Sequence, residues 1–482
     1  MPPAPAPPRA SWAELLHGRN ALHAIALAGG VGLYAINVHI VTTILPTVIA
    51  DIGGLALYAW STTLFVATSI IGSTLSAQLL ERLGPRATFL LALAVFAVGS
   101  MLCALAPNMP LLLGGRSVQG LGGGTLFALS YALIRLLFEE RLWPRAVALI
   151  SGMWGMATLS GPAIGGVFAQ AGLWRWAFWA LLPVVAALAV VVGRQLERNV
   201  APTACPGPPP YGLIAGVVLS VLALSVASLA ERLSWNLFGI GMGLALVVLV
   251  ARCDRGPERR LLPGGAYSLG NRLGVLYAIM CLLIGAMTTE IFVPYFLQRI
   301  HGLGPLAAGY MTAAMAGGWT LAALLGAGCT GAAAERLMRL GPAIILLALP
   351  ALALMTPRTQ WLDNVAGLLS YCLALAGVGL GIGLGWPHLM SRVLGAARAG
   401  EETLASASIT TLQLYATALA AALAGVVSNS AGLVDPGGVD GARHAAAWLF
   451  GLFTLAPLLV LWLVRRVLDR RPGQPAGADR RH

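Results

Sequence analysis

Ser-Gly-Met-Trp-Gly-Met-Ala-Thr-Leu-Ser-Gly-Pro-Ala-Ile-Gly-Gly, residues 151–166, lies inside a long apolar run. Small or kink-prone residues recur in this stretch at helical steps of three and four, namely Ser151, Gly155, Thr158, Pro162 and Gly165. In water so much glycine would weaken a helix, but in lipid the backbone must stay hydrogen-bonded internally, so the helix persists. The glycines then offer a surface on which a second helix packs closely, and the proline adds a kink. The stretch therefore predicts a kinked, closely packed helix within a membrane.

The composition of the whole chain agrees with this prediction. Of its 482 residues, 58% are hydrophobic and 10% are charged, which is too apolar and too sparsely charged for a soluble domain. The formal net charge of +12 comes entirely from arginine, since the sequence contains no lysine. These arginines lie in short loops between apolar runs, a pattern of membrane topology and not of nucleic-acid binding. We therefore expect an all-α integral membrane protein that contacts the lipid bilayer and no nucleic acid.

Apolar runs long enough to cross about 30 Å of hydrocarbon, roughly 20 residues each, follow one another along the chain. We predict about fourteen spans, near 21–48, 57–79, 87–106, 110–134, 146–170, 175–193, 211–230, 236–252, 273–298, 306–328, 339–356, 365–386, 403–428 and 446–464. The arginines concentrate in alternate loops, which predicts that both termini are cytoplasmic. We expect a multi-pass protein of the plasma membrane, the inner membrane of a bacterium.

A weak repeat indicates how the spans are grouped. Glu-Arg-Leu-Gly-Pro-Arg at 81–86 follows the second predicted span, and Glu-Arg-Leu-Met-Arg-Leu-Gly at 335–341 follows the second span of a later group, although chance recurrence in basic loops is an alternative. Two six-helix bundles in parallel repeat, with two additional helices between them, would place these segments equivalently. The predicted units are a cytoplasmic leader (1–20), a first bundle (21–197), a linker with the two extra helices (198–272), a second bundle (273–467) and a cytoplasmic tail (468–482).

Several motifs resemble those of major facilitator superfamily drug exporters. Gly-Pro-Ala-Ile-Gly-Gly at 161–166 looks like the antiporter signature of the fifth helix, and Arg-Ser-Val-Gln-Gly-Leu-Gly-Gly-Gly at 116–124 is similar to the fourth-helix motif. Residues 77–86 resemble the loop after the second helix, and Trp-Arg-Trp-Ala-Phe at 174–178 resembles the start of the sixth. Together with the predicted spans, these motifs resemble the 14-helix drug:proton antiporter branch of that superfamily.

The resemblance implies a major facilitator fold and the export of small hydrophobic or cationic compounds by proton antiport through alternating access. It also implies that the fifth helix lies against its counterpart from the other half and helps to close the cytoplasmic side. The conformational motif residues would be Glu81, Arg82, Gly84, Arg86, Gly161, Pro162, Gly165 and Gly166. A facilitator-fold carrier for a specific metabolite or lipid, working by uniport or symport, is the alternative.

Other chemistry has little support in the sequence. No Walker-type Gly-Lys-Ser/Thr loop, His-Glu-x-x-His motif or Cys-x-x-Cys motif occurs. We therefore expect a transporter and no enzyme, with no cofactor and no metal. The expected partners are protons and a small-molecule substrate, and we expect one chain to function as a monomer.

Three ionisable residues inside predicted spans are candidates for proton coupling, namely His39, Arg116 and Glu290. Such groups cost several kcal/mol in hydrocarbon unless they are paired or hydrated, so each is a functional candidate. Glu290 is the only carboxylate well inside a predicted span. A carboxylate that alternates between apolar and charged surroundings can bind a proton on one side and release it on the other. A permanent ion pair and a substrate-facing charge are the alternatives for this residue.

The other polar residues of the spans carry further hypotheses. Arg116 cannot deprotonate; by resemblance it would act in the proton pathway near the first helix, and snorkelling to the outer interface is the alternative. From its depth we expect it to share one layer with the other two candidates. Asn37 stands where such exporters usually have Asp, so His39 either replaces the missing carboxylate or is a hydrogen-bonded histidine of the bundle. Asn37, Gln119 and Gln298 are predicted substrate contacts, with helix bridging as the alternative for the two glutamines.

Overall fold

The structure is a computed structural model that describes residues 11–196, 210–230, 233–254, 260–398 and 401–469. All regular structure in these ranges is helical. Parts of the predicted leader, of the linker before residue 210 and of the tail after residue 469 lie outside the described residues.

The helices follow one another with short connections. The first group is α1 (Trp12–Leu15), α2 (Gly18–Ile52), α3 (Trp60–Ala104), α4 (Met109–Leu137), α5 (Trp143–Gln170), α6 (Trp174–Trp179) and α7 (Leu181–Gln195). An additional pair follows, α8 (Tyr211–Ala227) and α9 (Leu233–Cys253). The last group is α10 (Arg272–Thr288), α11 (Val293–His301), α12 (Pro305–Gly326), α13 (Gly331–Met355), α14 (Val365–Gly395), α15 (Glu402–Ser428), α16 (Gly438–Phe453) and α17 (Leu455–Asp469).

The number of spans differs from the prediction. Eleven helical segments in the described part of the chain are long and apolar enough to cross a membrane, whereas the sequence predicts about fourteen. The difference has three sources: α8 is apolar but shorter than 18 residues, α12 is not among the eleven, and α3 contains two predicted spans. The count of fourteen therefore remains a prediction.

Helix α3 is broken where the sequence predicts a loop. At 1.5 Å per residue its 45 residues would extend roughly 68 Å if straight, more than twice the hydrocarbon thickness. Gly84 interrupts it with φ of +75°, in a region that favours glycine, and the Thr88 hydroxyl donates to the carbonyls of Leu79 and Gly84, both at 2.8 Å. The predicted loop at 77–86 is thus a sharply kinked helix and not a separate loop, because local hydrogen bonds close the break.

The second copy of the weak repeat also lies in a helix. Residues 335–341 fall inside α13, which begins at Gly331, so the predicted loop position is wrong for this copy too. Its first residue, Glu335, accepts a charged hydrogen bond from Arg392 of α14 at 3.4 Å. This copy of the repeat therefore lies near the start of α13, where α13 is hydrogen-bonded to α14.

Glycine allows neighbouring helices to approach to backbone contact. A Cβ at Gly124 of α4 would lie 2.2 Å from the Ser69 carbonyl oxygen of α3. In the glycine-rich α14, a Cβ at Gly379 would lie 1.7 Å, and one at Gly383 2.3 Å, from carbonyl oxygens of α12. All three distances are far below van der Waals contact, so only glycine fits at these positions. Packing of this kind makes each half of the molecule a closely fitted unit.

The two halves, residues 11–196 and 260–469, meet mainly through two pairs of helices, and α2 makes smaller contacts with α11 and α12. Helix α5 packs against α12, and α3 packs against α15. The resemblance implies that the fifth helix meets its counterpart, which is α15 by order along the chain. That expectation is wrong, because the partner of α5 is an earlier helix of the second half.

The halves are joined by hydrogen bonds at one end only, which we call the sealed end and which residues 52–60, 288–305 and 428–437 form. The Tyr58 hydroxyl donates to the Ile291 carbonyl at 3.0 Å, and the Asn429 amide donates to the Ala56 carbonyl at 2.9 Å. Between described residues, no other hydrogen bond or ion pair joins the two halves. The contact between the halves is therefore fastened at a single end of the molecule.

The extra pair α8–α9 lies beside the seam between the halves. Helix α8 packs against both α15 and α3. Trp60 of α3 donates to the Ser228 hydroxyl at 3.3 Å, and Asn429 donates to the Ser228 carbonyl at 2.9 Å. Further along α8, the hydroxyls of Ser220 and Tyr415 lie 2.8 Å apart. The pair is thus attached to both halves.

We expect Gly124→Leu to destabilise the first half because the new side chain meets the α3 backbone, which cannot rotate away. Overpacking costs about 1–3 kcal/mol, and the apparent melting temperature in detergent should fall by several degrees. Gly114→Leu on the same helix is the matched control, since no atom lies within 4 Å of that position. Equal melting temperatures for the two variants would contradict the close packing described here.

Candidate functional site

Glu290 lies in a break between α10 and α11. The break is a 3₁₀ segment, Thr289–Phe292. Pro294 explains it, because proline has no N–H and therefore cannot donate to the Glu290 carbonyl four residues earlier. That carbonyl accepts instead from the Val293 N–H, which tightens the turn. The single acid of the predicted spans thus lies where the helix changes its hydrogen-bond pattern.

The Glu290 side chain is half-buried between buried neighbours. Thr289, Ile291 and Phe292 have at most 5% of their surface exposed. Within the described residues, Glu290 has no hydrogen-bond or ion-pair partner. The described residues therefore offer no cation for the permanent ion pair that is one alternative for Glu290. Its carboxyl group remains available to a proton or to a cation.

Arg116 is the centre of a buried polar network between α3 and α4. One guanidinium nitrogen donates to the side-chain oxygen of Gln119. The amide nitrogen of Gln119 in turn donates to the Ser100 hydroxyl at 2.8 Å. Arg116 Nε donates to the Ser61 carbonyl at 3.4 Å, and the guanidinium lies 4.1 Å from the Phe65 ring centre. Only 2% of Arg116 is exposed, so in this structure the side chain does not snorkel to an interface.

The predicted substrate contacts are in different situations. Gln119 is fully buried and bridges Arg116 and Ser100, as the helix-bridging alternative describes. Asn37 is also fully buried, and neither of its amide atoms has a hydrogen-bond partner in the described part of the chain. Gln298 on α11 is half-buried, with its amide nitrogen unpartnered among the described residues. Contact of these three side chains with a substrate remains a prediction.

His39 is half-buried on α2, where the antiporter-like stretch of α5 passes closely. A Cβ at Gly161 would lie 2.4 Å from the His39 Cβ. No hydrogen bond joins the imidazole to another described residue. Nor does any hydrogen bond or ion pair link His39, Arg116 and Glu290 to one another in the described ranges. The three are thus not joined by a polar contact among the described residues, and their common layer remains a prediction.

The antiporter-like stretch lies between the first helix and the other half of the molecule. A Cβ at Gly165 would lie 2.9 Å from the Ile40 carbonyl oxygen of α2, whereas one at Gly166 would lie 2.6 Å from the Leu306 Cα of α12. Pro162 also faces α12, because a Cβ placed on Gly309 of that helix would lie 3.2 Å from the Pro162 Cβ. Both contacts with α12 are near the sealed end. The arginine distribution predicts that end to be outside, and closure of the cytoplasmic side by this stretch remains a prediction.

The motif residues around the α3 break make few contacts with other helices. Gly84 forms the break itself, and Arg86 lies beside α7, where a Cβ at Gly193 would be 3.9 Å from its guanidinium. One carboxyl oxygen of Glu81 is buried without a hydrogen-bond partner among the described residues, and Arg82 is exposed. A conformational role for this set remains a prediction.

Tyr58 is a residue of the site that the sequence did not reveal. Its hydroxyl bonds to the Ile291 carbonyl, and its ring stacks on Phe292 at 4.8 Å and meets Tyr295 edge-on at 5.5 Å. It is 1% exposed. No sequence pattern links position 58 to position 291. A signal for the break beside Glu290 does exist in the sequence, because Pro294 follows the acid by four residues.

Asp51 was also missed, and it explains the sixth-helix motif. Its carboxylate accepts from Arg175 at 2.7 Å and from the Trp174 indole at 3.0 Å. Arg175 also donates to the Ala106 carbonyl at 3.1 Å. These bonds join the ends of α2, α3 and α6, so the motif fastens the first half at the sealed end.

Comparison with known proteins shows the family of this chain. A profile of the Major Facilitator Superfamily matches residues 27–421. The chain belongs to this superfamily. A Mycobacterium tuberculosis protein named "probable multidrug-efflux transporter" is 39% identical over 434 residues, which cover 87% of this chain and 90% of that protein. The multidrug transporter protein MdtP of Bacillus subtilis is 30% identical over 280 residues, which cover 56% of this chain and 51% of that protein. The chain is therefore a membrane transporter.

Solved structures show the same fold. A D-xylose-proton symporter superposes with a TM-score of 0.64 at 14% identity, covering 94% of this chain and 100% of that one. A POT family transporter in complex with a thioalcohol conjugated peptide superposes with a TM-score of 0.67 at 14% identity, covering 93% of this chain and 96% of that one. At such low identity these likenesses concern the fold alone.

We expect Gln119→Leu to destabilise the protein, because it leaves the buried Arg116 guanidinium without one acceptor. Loss of a hydrogen bond to a charged group costs about 1.5–3 kcal/mol. Thermal unfolding in detergent measures the effect. Ser117→Ala is the control on the same helix, since the Ser117 hydroxyl bonds only to the Leu113 carbonyl of its own helix. Unfolding of both variants at the wild-type temperature would show that the network does not contribute to stability.

Proposed function

We propose that this transporter exports small hydrophobic or cationic compounds in exchange for protons, by alternating access between its two halves. The observation that carries the proposal is Glu290, a half-buried carboxylate without an ion-pair partner among the described residues, on a helix break beside the sealed end. The names of the multidrug-efflux relatives support export as the direction of transport.

The chemistry of Glu290 fits an exchange of cations. An unpaired carboxylate in a membrane interior is costly when ionised, so it gains by binding either a proton or a cationic substrate. Because both ligands neutralise the same charge, occupation by one disfavours the other. If the proton binds Glu290 from outside and the substrate binds it from inside, each turn of the cycle couples proton entry to substrate exit. Binding of substrate to this acid is part of the proposal.

Arg116 and His39 complete the proposed proton-coupling set. Arg116 has no carboxylate partner among the described residues, so its positive charge is balanced only by neutral acceptors and the Phe65 ring. A fixed positive charge in the first half disfavours a second cation there and leaves cation binding to the acid of the second half. His39 lies against α5, the helix whose other side meets α12, so a change in its charge would act directly on this interface.

Alternating access is supported by the way in which the halves are joined. Inside each half, glycine-mediated packing is too close for gradual deformation, whereas only two hydrogen bonds between described residues join the halves, both at the sealed end. Breaking a few contacts at one end is therefore enough to let two rigid bodies rotate. In this proposal residues 21–197 and 273–467 are the moving bundles, residues 198–272 link them, and one chain functions as a monomer.

Glu290→Gln keeps the size and polarity of the side chain but removes its titration. We expect it to reduce proton-driven substrate movement by at least about tenfold, since the amide cannot exchange a proton. The assay is uptake of ethidium, a fluorescent lipophilic cation, into everted membrane vesicles under an imposed proton gradient. Glu139→Gln is the matched control, because Glu139 is an exposed loop carboxylate paired with Arg141 at 2.7 Å. Wild-type, proton-dependent uptake by the Glu290 variant would exclude the proposed coupling.

We further propose that both termini are cytoplasmic in the bacterial inner membrane, because arginine concentrates in the loops opposite the sealed end. A green fluorescent protein fused after the last residue should fluoresce, and alkaline phosphatase at the same point should be inactive. Fusions within the turn at 171–173, on the same side of the molecule as the sealed end, should give the reverse pattern. Active phosphatase at the C-terminus would reverse the orientation.

A further inference from the structure

The bond from Tyr58 reaches the residue next to the proposed proton-binding acid. Tyr58 belongs to the first half, and the Ile291 carbonyl that accepts its hydroxyl at 3.0 Å directly follows Glu290 in the second half. The Tyr58 ring is also stacked on Phe292, the last residue of the same 3₁₀ segment. One side chain of the first half therefore contacts two of the four residues in the segment that carries the acid.

This segment has weak internal hydrogen bonding. Pro294 removes the donor that an α-helix would offer to the Glu290 carbonyl, and the 3₁₀ bond from Val293 that replaces it has poorer geometry. Short 3₁₀ stretches between α-helices often mark hinges. An external bond to such a stretch has more influence on its conformation than the same bond would have on a continuous helix.

We propose that Tyr58 is a positioning residue that holds the Glu290 segment against the first half, so that opening of the sealed end and rearrangement around the acid are one event. This inference rests on the proposed function. When the halves part at the sealed end, the Tyr58–Ile291 bond breaks and the 3₁₀ segment is released. The acid is then free to change its surroundings at the moment when that side of the protein opens.

The second bond between the halves allows this role to be separated from simple closure. Asn429 donates to the Ala56 carbonyl at the same end, from the π-helical segment Asn429–Leu433 that follows α15. Its loss should loosen the sealed end without acting directly on the Glu290 segment. It is therefore the comparison for Tyr58.

Tyr58→Phe removes only the hydroxyl and keeps the ring contacts with Phe292 and Tyr295. Hydrogen–deuterium exchange of the full chain in detergent should then be about three- to tenfold faster in peptides covering residues 288–296, the factor expected for one hydrogen bond. Ethidium should bind with an unchanged Kd, while the maximal rate of proton-driven ethidium transport falls by a similar factor. Such a separation of binding from rate would not result from a general loss of folded protein.

Two comparison variants complete the test. Asn429→Ala should accelerate exchange at residues 53–58 and 428–434 and leave residues 288–296 unchanged. Tyr310→Phe, which removes the hydroxyl of an exposed tyrosine on α12, should behave as wild type throughout. Wild-type exchange at 288–296 in Tyr58→Phe would overturn the inference, as would the same acceleration there in Asn429→Ala.

The inference and the proposed function can fail separately. Retention of proton-dependent transport by Glu290→Gln would remove the coupling role of the acid, whatever the exchange result. Loss of that transport together with unchanged exchange and transport in Tyr58→Phe would leave the proposed function intact and remove Tyr58 from it.

Discussion

Backbone hydrogen bonding in a medium without water is the constraint from which the rest of this structure follows. Within hydrocarbon, each N–H and C=O must find a partner inside the protein, so the chain crosses the membrane as helices and each break must be compensated locally. Thr88 compensates the break at Gly84 by donating to two carbonyls. At Glu290 the compensation comes from the Val293 N–H, which bonds to the Glu290 carbonyl, while Tyr58 bonds to the carbonyl of the next residue. The break that matters for the proposed function is thus the one that the other half contacts.

The same medium decides which interactions hold the helices together. Apolar surface gains little by leaving lipid for protein, so association depends on close backbone approach and on polar networks. Gly379 and Gly383 allow close backbone approach between α12 and α14. The hydrogen bonds from Arg116 to Gln119 and from Gln119 to Ser100 form a polar network between α3 and α4. Both kinds of contact are concentrated within the halves. Across the seam between the halves, the described residues form no ion pair and only two hydrogen bonds, both at the sealed end.

Much of this architecture could be predicted from the sequence, because hydrophobic run length and small-residue spacing report directly on helices in lipid. The antiporter-like stretch at 151–166 is a closely packed helix, as predicted, and the membership of the superfamily follows from motifs that remain in order along the chain. Helix ends were less predictable. The break at Gly84 and the early start of α13 depend on local hydrogen bonds that hydropathy does not register.

Contacts between distant parts of the chain could not be predicted. The partner of α5, the acceptor of Tyr58 and the acceptors of Asn429 depend on how two bundles dock, and no periodicity encodes that arrangement. Candidate residues could be named one at a time because an ionisable side chain in lipid is conspicuous. Their grouping could not. Gln119 lies one helical turn from Arg116, but the partners Ser61 and Ser100 come from α3, and no spacing along the chain encodes how α3 docks on α4.

The attachment of the extra helices has a consequence for the movement of the halves. At one end of α8, Trp60 of the first half and Asn429 of the second half both bond to Ser228. At the other end of α8, the Tyr211 hydroxyl donates to Gln78 of the first half, while Ser220 in between bonds to Tyr415 of the second half. Rotation of the halves as proposed would therefore strain or break some of these bonds, so the added helices act as a brace on one flank of the seam.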